Sequence, residues 1–424
     1  MLKVTHISTA LQGGAGVAAV RLHQALLAHG VASRMLHLFP LPHAVATETR
    51  QYRQRTPLLL AARRRVAAQL STTQSYIQGI RSFNDCTLPG FDMHALPRTP
   101  HTALWQHPWV QDADVVHLHF IGKFIDWPSF FPKVEKPIFW TLHDMGAFTG
   151  TCHYSFECAG YHTRCATCPQ VRKAALPLVA NAYTQKADAY ARLAHPLHII
   201  TPSHWLGQLS TDSPLTGSFP HTVIPYCLDV ERYAPVADKQ ALRQQMGLNP
   251  ELPVLLFVSE QVDNRRKGFE LLLQALQQLP PDLPLQLLVV GRTTDRLADI
   301  PLPHVHLGAL DEHQMAKAYQ AADVFAMPSL YDNYPNTVLE AYACGLAVIG
   351  FGASGVQEML QPMGQELTVT PYDTAEMAQK LEALVRTNRY QALGALGRAH
   401  ILQHHQPATI AAAHLAYYAT RSQS

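Results

Sequence analysis

Strand-length apolar runs alternate with longer helix-forming stretches along this 424-residue chain, and they do so in two series. The first series comprises Leu2 to Ser8, Ser33 to Phe39, Asp114 to Phe120, Pro137 to His143 and Leu197 to Ser203. The second comprises Pro253 to Ser259, Leu285 to Gly291, His304 to Gly308, Val324 to Met327 and Leu346 to Gly352. Two parallel strands cannot be joined by a tight hairpin, so a helix must carry the chain back between them. Repeated strand–helix alternation therefore predicts an α/β chain built on parallel sheets. Two series predict two domains, 1–228 and 229–405, with the exit at Ile224-Pro225, Asp229 and Pro235. The alanine-rich end, 406–424, reads as a closing helix. Residues 40–109 form a less regular basic insertion, and 145–170 a cysteine-rich one.

An apolar share of 47% can fill two cores, and the net charge of +2 offers no broad basic face for nucleic acid. No apolar run approaches the ~20 residues of a spanning helix. The opening MLKVTHIST reads as a first strand rather than a leader, so a cytoplasmic location is expected. The seven cysteines are then free or metal-bound thiols rather than a disulfide framework. Between Thr49 and Asn84 lie Arg50, Arg53, Arg55, Arg63, Arg64, Arg65 and Arg81 with no acid, around an apolar patch from Leu58 to Ala62. This segment reads either as a peripheral contact with the anionic inner face of a membrane or as a solvated helical insertion.

Four stretches carry chemistry. From Asp323 to Gly345 a buried strand turns at Pro328-Ser329, crosses a polar loop containing Asp332, and becomes a helix with Pro335 in its first turn. The amides of Asn336 and Thr337 then sit near a helix N-terminus, where unpaired N–H groups and the helix dipole favour an anion. The glycine run Gly13-Gly14-Ala15-Gly16 after the first strand permits close backbone approach to a ligand, but no complete G-x-G-x-x-G is present, which disfavours a redox dinucleotide. His119, His143 and Asp144 fall at strand ends, where ligands bind in doubly wound sheets. Cys152, Cys158, Cys165 and Cys168 lie within seventeen residues and end in C-x-x-C, a spacing that suits a structural zinc site, with two disulfides as the rival.

Two Rossmann-like halves, the first-strand glycine loop, the run PSLYDNYPNTVLEAYACG followed by GASGVQE, and Arg266-Lys267-Gly268-Phe269 together resemble the GT-B retaining glycosyltransferases of family four, or glycosyltransferase group 1. The cysteine segment is similar to that of a bacterial exopolysaccharide and colanic-acid-type subgroup. The resemblance implies two parallel sheets facing across a cleft, a nucleotide-diphosphate sugar as donor, and a saccharide or lipid-linked saccharide hydroxyl as acceptor. It implies no catalytic metal. It implies that Lys267, with Arg266 or Arg265, meets the donor diphosphate together with the amides of Asn336 and Thr337. Glu340 would hold the ribose hydroxyls, Asp332 would lie near the transferred sugar, Gly14 and Gly16 would approach the phosphates, and His143 would lie at the reacting face. Two departures stand out. Asp332 replaces the usual Glu and is one methylene shorter. Ser259-Glu260-Gln261 stands where many members carry Gly-Arg. A sugar-nucleotide 2-epimerase of similar architecture, or a non-catalytic sugar-nucleotide-binding protein, are the alternatives.

Overall fold

The computed structural model describes residues 1–40, 47–53, 85–91, 96–293 and 296–420. Arg55, Arg63, Arg64, Arg65, Arg81 and the Leu58–Ala62 patch lie outside the described residues. The chain divides into two units, Met1–Pro225 joined by the chain from Ala411, and Tyr226–Ile410. The division falls close to the expected boundary at 228. The closing helix, Pro407–Ala419, differs from expectation because from Ala411 it belongs to the first unit rather than standing apart. Its apolar and aromatic residues explain this: Ala411, His414 and Tyr418 are buried on one side of the helix, with Tyr417 and Tyr418 packed edge-on against Phe139.

The first unit is a seven-stranded parallel sheet in the order β3-β2-β1-β4-β5-β6-β7. Its strands are β1 (Lys3–Ser8), β2 (Ala32–His37), β3 (Thr49–Gln51), β4 (Val115–Leu118), β5 (Ile138–Thr141), β6 (Leu197–Thr201) and β7 (His221–Val223). Strands β4, β5 and β6 are buried at every position, as strands covered on both faces must be. The short edge strand β3 was not legible in the basic insertion; it is a three-residue strand with the polar sequence Thr-Arg-Gln. Helix α1 (Gly13–Ala28) follows β1, and Gly30, with a φ of 75°, ends its final turn.

The second unit is a six-stranded parallel sheet in the order β10-β9-β8-β11-β12-β13. Its strands are β8 (Val254–Gln261), β9 (Gln286–Arg292), β10 (His304–His306), β11 (Val324–Met327), β12 (Ala347–Phe351) and β13 (Thr368–Val369). Helices α2 (Phe269–Leu276), α3 (Glu312–Ala321) and α4 (Asn336–Ala343) cover it with others. Asp311 and Gln314 form a reciprocal capping box that starts α3. Asp323, at the foot of β11, pairs with Lys239 at 3.1 Å and with Arg243, and accepts the Val254 amide at 2.8 Å. That one carboxylate ties the neighbouring strands β8 and β11 together at their N-terminal ends.

In an open parallel sheet, a ligand crevice forms where the strand order reverses, beyond the carboxyl ends of the two strands involved. The reversal lies between β1 and β4 in the first sheet and between β8 and β11 in the second. The loops after β1 and β4, and after β8 and β11, are thus the places where topology alone puts a site.

Candidate active site

The site in the second unit is assembled from three loops. After β8, Asn264 accepts the Arg266 amide at 3.0 Å and starts a single 3-10 turn, Arg265–Lys267. Gly268 ends that turn at a φ of 74°, and a Cβ there would stand 1.9 Å from the Pro328 carbonyl oxygen. Only glycine lets the turn lie against the start of the second loop. The Leu330 amide then donates to the Arg266 carbonyl at 2.8 Å, which locks the two loops in register. The third loop, after β12, brings Ser354 against the second. Asp332 donates its amide to the Ser354 hydroxyl at 2.9 Å, and Gly355 donates its own amide to the Asp332 carbonyl at 3.0 Å. A Cβ on Gly355 would fall 1.6 Å from the Asn333 carbonyl oxygen. Ser354, with a φ of 52°, and the close approach at Gly355 are site-building features that only the fold reveals.

These loops place two cations on one carboxylate. Lys267 Nζ donates to Asp332 Oδ2 at 2.6 Å. Arg266 donates to the same oxygen at 3.1 Å and to the Tyr331 carbonyl at 2.9 Å. The other oxygen, Oδ1, accepts the Asn333 amide at 3.1 Å. The three side chains are only 22%, 13% and 11% exposed in the order Lys267, Arg266, Asp332. Burial lowers the Lys267 pKa, the attraction of Asp332 opposes that, and Arg266 adds to the lowering. The sequence expectation put Asp332 beside the transferred sugar. In the structure both of its oxygens are hydrogen-bonded to groups of the chain, Oδ2 to Lys267 and Arg266 and Oδ1 to the Asn333 amide.

The remaining expected residues divide. Arg265 is exposed on the same turn. Asn336 and Thr337 open α4 as expected, except that Pro335 is its N-cap residue rather than part of its first turn, and it provides no side-chain cap. Glu340 lies one turn inside α4 and is buried beside the Tyr319 hydroxyl of α3 and the Cys344 thiol. Burial first, and then the Glu340 carboxylate, raise the pKa of both neighbours. Glu260, in the Ser259-Glu260-Gln261 run that departs from the family's Gly-Arg pair, pairs with Arg292 on β9 at 2.8 Å.

The first unit carries a cleft lined by His119, Trp127, Trp140, His143, Asp144 and His153. Strands β4 and β5 deliver His119 and His143, one residue past β4 and two past β5. Burial pulls the His143 pKa down to about 4 against the attraction of Asp144, with His153 adding to the fall. Asp144 accepts the Gly146 amide at 2.6 Å and pairs with His153 at 3.0 Å. Burial alone would raise its pKa, yet His153 and that amide hold it below the usual carboxylate range. Gly14 is exposed in the first turn of α1. Gly16 is buried against its own loop, where a Cβ would meet the Leu11 carbonyl carbon at 2.5 Å, so packing of α1 already demands glycine there.

Cys152, Cys158, Cys165 and Cys168 are all free thiols, and all four line one small cavity. The Gly150 amide points at Cys165 Sγ from 3.2 Å and the Gly160 amide at Cys158 Sγ from 3.4 Å. Among the described residues, one set of three ligand-type side chains has its ligating atoms within 4.8 Å, and it is His6, His117 and His119; the thiols surround their cavity more loosely. Burial pushes Cys152 up to about 12 and Cys165 up to about 11.

Two parallel sheets, with Arg266 and Lys267 gathered on Asp332 at the switch point of the second, define a protein of the GT-B class. Residues 252–387 match the family model described as Glycosyl transferases group 1, so the chain is a GT-B protein carrying a group 1 glycosyltransferase domain. Among curated proteins, a GDP-mannose-dependent monoacylated alpha-(1-6)-phosphatidylinositol monomannoside mannosyltransferase of Corynebacterium glutamicum is 34% identical over 42% of this chain and 50% of its own length. The chain thus spans about half of that relative. A putative colanic acid biosynthesis glycosyl transferase, WcaC, of Escherichia coli K12 is 24% identical over 87% of each chain. Among solved structures, the sucrose-phosphate synthase of Thermosynechococcus elongatus superposes with a TM-score of 0.67 at 19% identity, covering 100% of both chains. The Anabaena protein HepE in complex with UDP gives 0.65 at 14% identity over 99% of this chain and 100% of its own. At such identities these two likenesses speak for the fold.

Proposed function

We propose that the protein is a retaining glycosyltransferase that moves a sugar from a nucleotide-diphosphate sugar to an acceptor hydroxyl. The observation that carries the reading is the pair of largely buried cations, Arg266 and Lys267, gathered on Asp332 at the switch point of the second sheet. A departing nucleoside diphosphate develops negative charge, and preorganised cations and amides stabilise it without rearranging at the moment of reaction. Lys267 and Arg266 meet the diphosphate, with Arg265 and the first amides of α4 alongside. Glu340 accepts the ribose hydroxyls, and Gly14 gives the phosphates close backbone access in the first unit. His143 contacts the sugar or acceptor. Because the leaving group is already good, its phosphate oxygen takes the acceptor proton on the face where it departs, which retains the anomeric configuration. No catalytic metal is required, since the charges it would supply are on the chain. Transfer is favoured over 2-epimerisation because an epimerase needs acids and bases at the sugar's second carbon, and the run around Asp332 fits transfer better.

The acceptor class we favour is a saccharide, free or lipid-linked, in cell-surface or exopolysaccharide assembly. The WcaC likeness over 87% of both chains supports that choice. No described helix is long and apolar enough to cross a membrane. Peripheral contact with the cytoplasmic membrane face would therefore fall to the arginine-rich segment. The four thiols, converging on one cavity with two amides aimed at sulfur, suit a structural zinc ion with four cysteine ligands. It would brace the loop without entering the reaction.

A thermal-shift screen of sugar nucleotides against the wild type and Lys267→Ala tests the reading. One sugar nucleotide should stabilise the wild type selectively and lose most of that effect in the variant. Equal stabilisation of both, with transfer intact, would overturn the assignment.

A further inference from the structure

Four histidines of the first unit form a connected series. His6 on β1 lies opposite His117 on β4, and His119 follows two positions on, so all three share one face of the sheet. His6 Nδ1 lies 2.9 Å from His119 Nε2. His119 Nδ1 lies 3.2 Å from His143 Nε2 at the cleft. His117 lies beside both, tilted against His6 at 5.0 Å and stacked on His119 at 4.4 Å between ring centroids, but its own nitrogens are engaged by the Tyr418 hydroxyl at 2.5 Å and the Thr141 hydroxyl at 2.7 Å. His6 Nε2 is buried and has no hydrogen-bond partner among the described residues. The nearby His23 does not serve it, since its nitrogens face the Ser33 hydroxyl at 2.7 Å and the Thr47 carbonyl at 2.9 Å.

Three imidazoles this close could invite a metal. The geometry argues otherwise. Two nitrogens bound to one zinc ion at 2.0–2.1 Å in a tetrahedron stand roughly 3.4 Å apart. The His6–His119 separation is a hydrogen bond, and both His117 nitrogens are taken.

Burial keeps His6, His119 and His143 neutral at neutral pH. A neutral imidazole carries one N–H and one bare nitrogen. The series therefore has two proton orders. If His143 donates from Nε2, the order propagates inward and leaves His6 with a buried N–H at Nε2 that no described residue accepts. If the order runs outward, His6 donates from Nδ1 to His119, His119 donates from Nδ1 to His143 Nε2, and His6 keeps a bare nitrogen. A buried orphan N–H is the rarer and costlier of the two ends.

We propose that His6 and His119 form a tautomer lock that holds His143 with its proton on Nδ1 and its Nε2 occupied. His143 is then a hydrogen-bond donor and has no free lone pair with which to act as a base. The inference deepens the reading of His143 as a substrate contact and rests on it for its catalytic meaning. It confines that contact to an acceptor oxygen of the sugar, with the acceptor proton going elsewhere. His6 and His119 are positioning residues: they touch no substrate and act through His143.

The test is a long-range proton–nitrogen correlation spectrum of the full chain labelled with 15N-histidine at neutral pH, with His143 assigned by its loss in His143→Asn. A protonated-type Nδ1 and an unprotonated-type Nε2 are expected. The reverse pattern would overturn the lock. In His119→Asn the amide nitrogen stands where Nδ1 was and still donates to His143, so the wild-type pattern persists. In His119→Leu the donor is gone, and the pattern should become mixed, with a fall in kcat. An unchanged His143 pattern in folded His119→Leu would also refute the lock; if that variant does not fold, the wild-type and His119→Asn spectra decide. The spectrum needs no substrate, so it reads the lock even if His143 proves to have no part in transfer.

Discussion

Replacing Asp332 by Asn separates two tasks that a carboxylate in this position could have. In the structure it holds Lys267 at 2.6 Å and Arg266 at 3.1 Å, in a setting where none of the three side chains is more than 22% exposed. Removing one partner of a buried pair costs about 3–5 kcal/mol, because the surviving charge stays buried and uncompensated. Partial exposure here brings the expectation to about 2–4 kcal/mol. For a unit of this size, each kcal/mol moves Tm by about 2–4 °C, so a drop on the order of 5–15 °C is expected for the second unit. On the proposed reading, the same carboxylate competes with a diphosphate for the same cations. Asp332→Asn should therefore bind a free nucleoside diphosphate more tightly, by about 1 kcal/mol or roughly fivefold. The diphosphate should also restore stability to the variant by more than it adds to the wild type. Calorimetric titration and thermal unfolding, each with and without the diphosphate, measure both effects. Turnover should still fall, because Lys267 and Arg266 are no longer held where the leaving group needs them. A variant as stable as the wild type that binds the diphosphate more weakly would refute the reasoning and return Asp332 to direct ligand contact.

Two further outcomes are expected. His6, His117, His119 and His414 are buried and neutral, with pKa values pulled below 6.5 by burial, His414 to about 3. Below pH 6.5 the unfolded chain takes up protons that the folded one refuses, so stability is full above that pH and is lost as pH falls. Each such group contributes up to about 1.4 kcal/mol per pH unit, so urea midpoints should drop steeply between pH 6.5 and 5; a flat profile would show that the cluster is not neutral and buried. For the cysteine segment, protein purified under reducing conditions should carry about one zinc per chain. The Met145 amide donates to the His153 carbonyl at 2.9 Å, and His153 pairs with Asp144, so stripping the metal should loosen the His143 cleft as well as the loop. Metal-free protein of unchanged stability would count against the site.

Much of this protein was readable without coordinates. The strand–helix alternation determines a parallel α/β chain, because parallel strands need crossovers and doubly covered strands are apolar throughout. Strand ends were located to within a residue or two, as for Leu2 to Ser8 against Lys3–Ser8. The spacing of Asp332 and Glu340 and the Arg266-Lys267-Gly268 run, read through the family resemblance, pointed to the segments that follow β11 and β8. Tertiary structure alone decided what those residues do to each other. Asp332 and Lys267 are 65 positions apart, and only the adjacency of β8 and β11 turns them into an ion pair. Gly16 reads as a ligand glycine in sequence and proves necessary for packing α1 on its own loop. His6 carries no signal in the run Lys3 to Ser8. It gains meaning when β1 pairs with β4 and sets its ring against His119, because a hydrogen bond between distant strands depends on register, which local sequence does not encode.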